Sequence, residues 1–169
     1  MLELKGLKKL FKGITVLNGV DISIKQGTKI GLSGGNGTGK STLLNIATGF
    51  LTPEEGAIIL NGDNITHFEA WKFARLGIKR TFQKVRFNEA LILKEQLYTS
   101  DEMIKRNLDM LKDAGLIDYL YAFPNEVPLP ILRKVEVIRA LLECPRYLFL
   151  DEPSAGMAAT DLHEFGEFL

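Results

Sequence analysis

The chain has 169 residues, 46% of them hydrophobic and 25% charged, with 21 basic residues set against 21 acidic ones. This is the composition of an ordinary globular domain. It excludes disordered and collagen-like classes, and a zero net charge argues against nucleic acid as a partner. Cys144 is the single cysteine, so an internal disulfide is ruled out, and the residue reads as a small apolar group buried in a protein of a reducing compartment. No apolar run approaches the roughly 18 residues that span a bilayer, and the basic start lacks the apolar stretch of a signal peptide. Any membrane role therefore comes through a partner.

In chain order, short β-like runs at Ile14 to Leu17 and Ile22 to Ile24 precede Gly27, and Lys29 to Ser33 reads as a strand leading into a glycine-rich turn. Lys40 to Thr48 is predicted to be a helix stopped by Gly49, with Pro53 shortly after. Ala57 to Leu60 followed by Asn61-Gly62 reads as a strand and a tight turn. Thr66 with Glu69 three residues on makes a capping-box start for a helix reaching Arg75, and Ile78 to Phe82 is the next strand. From Glu89 to Cys144 the pattern is helical, broken by Gly115, Pro124, Pro128 and Pro130. Ile131, Val135, Ile138 and Leu142 fall on one helix face, read as a core face, while Arg133, Lys134, Glu136 and Arg139 lie largely elsewhere. Tyr147 to Leu150 is a short apolar strand, and Thr160 to Leu169 starts a last helix. Neither repeats nor low-complexity tracts divide the chain.

The run Gly34-Gly35-Asn36-Gly37-Thr38-Gly39-Lys40-Ser41 satisfies G-x-x-x-x-G-K-[ST] between a predicted strand and a predicted helix. Glycines permit backbone geometry closed to other residues, so successive N–H groups converge on phosphate oxygens at the positive end of a helix. Lys40 then neutralises the terminal phosphates, and Ser41 coordinates magnesium. A flexible loop before a helix has no need of the Lys-Ser pair. Asp151 ends an apolar strand, where a parallel α/β sheet binds its ligand, and is expected to hold magnesium through water, with Glu152 polarising an attacking water. Gln83, just past a strand, is placed to touch magnesium or that water, and Phe11 offers a ring that stacks on adenine or fills the core. His67 and His163 have no ligand-like neighbours and read as surface groups.

These residues resemble the ATP-binding subunits of ABC transporters. Gly34 to Thr42 looks like Walker A, Arg80-Thr81-Phe82-Gln83 like the Q-loop, and Leu150-Asp151-Glu152-Pro153 like Walker B. Ala47 to Pro53, Arg75 to Ile78 and Ala155-Gly156-Met157 look most like the branched-chain amino acid importer branch, and Lys9 to Gly13 is similar to the adenine-stacking loop. The resemblance implies an α/β fold: a P-loop nucleoside triphosphatase core with an antiparallel β portion and a helical subdomain. Residues 1–88 would form the first part of the core, 89–144 the helical subdomain and 145–169 the second part. Phe11 and Gly34 to Thr42 would bind ATP; Ser41, Gln83 and Asp151 would serve magnesium (Mg2+); Glu152, Gln83 and Lys40 would carry hydrolysis. The implied partners are a second ATP-binding subunit, identical or not, and membrane-spanning permease subunits docking near Lys84 to Leu97. The implied location is the cytoplasmic face of the membrane, as a peripheral subunit.

Two departures stand against the pattern. The signature segment, L-S-G-G-Q or L-P-Y-G-Q in the family, falls on Val127-Pro128-Leu129-Pro130-Ile131, where Pro130 removes a backbone donor and Ile131 a polar side chain. Only 17 residues follow Glu152, and His163 comes too soon for the family's switch histidine, so the core is expected to be incomplete at its C-terminus. Both departures favour a rival reading, a truncated or degenerate module that binds ATP without turnover. A GTPase or small-molecule kinase would want an Asn-Lys-x-Asp motif or lack the Asp-Glu pair.

Overall fold

The computed structural model describes residues 1–82, 87–97 and 100–169, which separate into two compact units, residues 1–79 and 80–169.

The first unit is built on a four-stranded antiparallel sheet in the order β2-β1-β3-β4, formed by β1 (Leu2–Phe11), β2 (Ile14–Ile24), β3 (Glu55–Leu60) and β4 (Asp63–Asn64). β1 and β2 make one long hairpin, paired from Leu2 opposite Ile24 to Phe11 opposite Ile14, with register shifts between Leu4 and Leu7, between Leu7 and Lys8, and between Lys9 and Leu10. Its two-residue turn places Lys12 at φ 49° and Gly13 at φ 83°, the left-handed pair that matches the strand twist. Asn61 and Gly62 repeat the device between β3 and β4, at φ 52° and 98°. Leu2, Leu4 and Leu7 of β1 are buried, as are Ile58 and Leu60 of β3. The helix α1 (Lys40–Ala47) contributes Leu43, Ile46 and Ala47 to the buried set, and α2 (Ala70–Arg75) contributes Phe73. Each of the buried Leu, Ile and Phe side chains stabilises the fold by about 1.5–3 kcal/mol.

In the second unit Arg80, the last residue of β5 (Ile78–Arg80), leads into Thr81, whose backbone N–H donates to the Phe149 carbonyl at 2.9 Å. Phe149 ends β6 (Tyr147–Phe149). The remainder is helical: α3 (Leu93–Gln96), α4 (Asp101–Arg106), α5 (Leu108–Asp113), α6 (Leu129–Leu142) and α7 (Ala159–Phe168). Leu93, Leu97, Leu111, Leu116, Val135 and Ile138 are members of one apolar cluster, with Ile131 and Leu142 packed against it. The α6 stripe read from the sequence is therefore a core face.

Several expectations are corrected. Lys29 to Ser33 forms no strand: none of the described strands pairs with it, and Ile30 and Leu32 stand 56% and 45% exposed. A strand needs a ladder to satisfy its backbone, and hydrophobicity alone does not supply one. The β-like runs after Ile14 merge into a single strand, and β1, absent from the sequence reading, pairs along it. Thr66 does not start a helix. Its hydroxyl accepts from the Ile58 N–H at 2.9 Å and donates to Asn64 Oδ1, and α2 begins only at Ala70. Cys144 is exposed, because it sits at φ 50° in the turn that ends α6. Arg133, Lys134 and Glu136, read as lying off the apolar face, are also buried, each engaged by an ion pair.

Candidate nucleotide site

In the first unit the glycine loop runs directly into α1. Gly39 is the helix N-cap at φ 93°, no side chain caps the helix, and no acidic residue stands in its first turn. The first-turn N–H groups and the positive end of the helix dipole are thus left to an anion. A side chain at Gly39 would meet Leu17 Cδ2 at 2.9 Å and the Val16 carbonyl at 3.0 Å, so only glycine allows the loop to lie this close to β2. Gly37 also takes a left-handed conformation, φ 77°. Thr38 Oγ1 donates to the Gly35 carbonyl at 2.9 Å, closing the turn from within. Lys40 Nζ reaches back over the loop and donates to the carbonyls of Gly34 and Gly35, at 2.7 Å each. Ser41 is exposed on the first turn and Thr42 half-buried beside it. Phe11 is 42% exposed at the hairpin end, with Lys9 Nζ 5.5 Å from its ring centroid. Lys9 in turn bridges to Glu54 at 2.9 Å, and the Leu10 N–H donates to Glu54 at 3.1 Å, which fixes the tip against the chain before β3.

In the second unit Asp151 is buried two residues past β6 and paired with Arg80, Nη2 to Oδ2 at 3.0 Å. Glu152 is exposed and adopts φ 46°, the left-handed region, which costs a non-glycine residue on the order of 1–3 kcal/mol. Its carbonyl accepts from the Ala155 N–H at 3.0 Å, so the carboxylate is displayed on a tight turn. Gln83 lies outside the described residues. Phe82, immediately before it, donates its N–H to Glu136 Oε1 at 3.2 Å, and Arg133 donates to Glu136 Oε2 at 3.3 Å. Arg133 also reaches the Ala155 carbonyl at 3.5 Å. One face of α6 thereby ties together the start of the Gln83 segment and the turn that follows Asp151. Sequence reasoning missed Arg80, Arg133 and Glu136. Only Arg80 carried a signal, as the first residue of the Q-loop-like run.

Pro130 occupies the second position of α6, with Pro128 as N-cap, and Val127 is buried before them. Proline is tolerated there because a first-turn N–H has no partner within the helix. The same absence removes one of the first-turn backbone donors of α6. Of the Lys84 to Leu97 stretch, residues 84–86 lie outside the described residues; Asn88, Glu89 and Ala90 are exposed, and Leu93, Gln96 and Leu97 are buried.

Among the described residues no group of three or more His, Cys, Asp or Glu side chains is placed to hold a metal ion. Ser41 in the first unit presents a hydroxyl and Asp151 in the second a carboxylate, each an oxygen donor of the kind magnesium takes. The donor chemistry fits that ion. No described helix is long and apolar enough to cross a membrane.

A family model described as ABC transporter matches residues 17–155. The chain belongs to this family. Its fold is that of the ABC cassettes, a P-loop nucleoside triphosphatase fold: the ADP conformation of the ATP-binding cassette MJ1267 superposes with a TM-score of 0.87 at 29% identity, covering 99% of this chain and 74% of that one. Two curated relatives are named high-affinity branched-chain amino acid transport ATP-binding proteins. BraF of Pseudomonas aeruginosa is 29% identical over 93% of this chain and 71% of its own length, and LivG of Escherichia coli is 27% identical over 100% and 75%. This cassette is accordingly an ABC-type ATP-binding subunit of the ATPase class.

Proposed function

We propose that this cassette binds ATP through Gly34 to Thr42 and couples that binding to transport across a membrane, with a branched-chain amino acid as the substrate most in keeping with its relatives. The observation that carries the reading is the uncapped N-terminus of α1 behind a glycine loop, with Lys40 folded over the loop carbonyls. Loop and helix N–H groups hold phosphate oxygens, and Lys40 exchanges its carbonyl partners for the terminal phosphates. Phe11 stacks on the adenine. Ser41 and Asp151, with Gln83, would hold magnesium, which supplies charge neutralisation at the phosphate oxygens. Glu152 orients the attacking water and accepts its proton. The partners are a second ATP-binding subunit and permease subunits docking near Lys84 to Leu97, where Asn88 to Ala90 and Glu95 are exposed among the described residues. The chain then sits at the cytoplasmic face of the membrane without crossing it.

A second reading, ATP binding with little turnover, is favoured by Pro130 in the first turn of α6. In the family that turn faces the phosphate held by the partner subunit, and loss of one such donor costs roughly a hundredfold to a thousandfold in rate. Steady-state phosphate release by the purified chain, compared with Glu152→Gln, separates the two. Turnover near that of a working cassette, on the order of 1 per second, and lost in the variant, supports coupled hydrolysis. Turnover indistinguishable from the variant supports the binding module.

A further inference from the structure

Asp151 already has a cation. Arg80 Nη2 lies 3.0 Å from Asp151 Oδ2, and the two side chains are only 7% and 11% exposed. The guanidinium is itself held: Nε donates to the Thr81 carbonyl at 3.3 Å, and the group lies 4.9 Å from the centroid of the Phe82 ring. Burial pushes the Arg80 pKa down, and the neighbouring carboxylate opposes that shift. The carboxylate does not rely on Arg80 alone for its placement, since it sits two residues past β6 on a turn tied to α6 through the Ala155 carbonyl. What Arg80 chiefly changes is therefore charge. A compensated carboxylate attracts a divalent cation less than a bare one does, and in a poorly solvated setting the difference is large.

We propose that Arg80 is a positioning residue that serves as the internal counter-cation of Asp151 and restrains that carboxylate from engaging a magnesium-bound water. The metal–nucleotide complex draws Asp151 away from Arg80, so the strength of the pair sets how much magnesium adds to nucleotide affinity. The inference rests on Asp151 serving the metal, as proposed above. A bystander ion pair would only hold β5 and the turn after β6 in place, and its loss would weaken ATP and magnesium-ATP binding alike.

The test is calorimetric titration of the purified chain with ATP, once with magnesium and once with EDTA, for the wild type, Arg80→Lys, Arg80→Gln and Asp151→Asn. The readout is the ratio of the two dissociation constants. Arg80→Lys keeps the charge and is expected to keep the wild-type ratio. Arg80→Gln is expected to raise the ratio by about tenfold, the scale of one unit charge acting on a metal across a partly screened site. An Arg80→Gln ratio equal to that of the wild type, with Asp151→Asn lowering it, overturns the restraint while leaving the metal role of Asp151 intact. An Asp151→Asn ratio equal to that of the wild type overturns the metal role and the restraint with it. Because Arg80→Gln leaves a buried carboxylate without its counter-charge and is at risk of misfolding, the wild type supplies a second measurement. The 15N side-chain resonance of Arg80 is expected to shift with magnesium-ATP and to stay in place with ATP in EDTA. A resonance that responds equally to both overturns the proposal.

Discussion

Alanine at Gly39 separates the two physical demands on the phosphate loop. The position has φ 93°, and an added Cβ would lie 2.9 Å from Leu17 Cδ2, 3.0 Å from the Val16 carbonyl and 3.1 Å from Val16 Cγ1. The left-handed conformation alone costs about 1–2 kcal/mol for an L-residue. Overpacking adds about 1–3 kcal/mol, because the Leu17 methyl is able to move and the Val16 carbonyl, fixed in β2, is not. Gly37 is the internal control: φ 77°, with nothing within 4 Å of an added Cβ. Urea unfolding followed by circular dichroism is expected to show Gly37→Ala destabilised by the conformational cost alone, about 1–2 kcal/mol, and Gly39→Ala by about 2–5 kcal/mol. With a slope of about 1–3 kcal/mol per molar, the Gly39→Ala midpoint falls by at least about 0.7 M. Equal losses in the two variants would refute the argument, because only Gly39 has neighbours to displace.

Other consequences are open to the same preparations. Phe11→Ala is expected to weaken ATP and GTP alike by about 1–3 kcal/mol, since ring stacking discriminates poorly between purines; unaltered affinities return Phe11 to a role in the hairpin. Lys134 holds the Glu164 carboxyl below its ordinary pKa through a 2.5 Å hydrogen bond and its charge. A depressed carboxylate stabilises the fold above its unfolded pKa and loses that contribution as pH falls through the folded value. Thermal melts of the wild type are therefore expected to fall more steeply below about pH 4.5 than melts of Glu164→Gln, and parallel profiles would contradict the assignment. Pro130→Gly restores a backbone donor in the first turn of α6 and is expected to raise phosphate release by about tenfold or more, whereas no change places the deficit elsewhere.

How much the sequence disclosed depended on whether the signal was local. The glycine loop and α1, the Asn61-Gly62 turn and the apolar stripe of α6 are set by residues close together in the chain, and each was readable. β1 was not, because Lys5, Lys8 and Lys9 made the start look merely basic; in the fold they pair with Glu3, Glu55 and Glu54. Two of those partners lie more than forty residues away. Arg133, Lys134 and Glu136 were read only as lying off the apolar face of α6, for the same reason. Their partners include Glu164, the Ala155 carbonyl and the Phe82 N–H, none of them near in sequence. Lys29 to Ser33 shows the opposite failure, a strand-like composition without a strand beside it. At the site, the sequence offered the phosphate-loop residues and the Asp-Glu pair as candidates, whereas the Arg80 cation on Asp151 required three dimensions to see.

The central claim is that Gly34 to Ser41 forms a phosphate-binding loop whose lysine serves a nucleotide. It is tested most directly by calorimetric titration of magnesium-ATP into the wild-type chain and Lys40→Ala. The account predicts one-site binding by the wild type and a loss of at least about tenfold in the variant, since a charge-assisted contact to phosphate is worth about 1.5–3 kcal/mol, with both proteins melting at similar temperatures. Equal affinities in two folded proteins would contradict it.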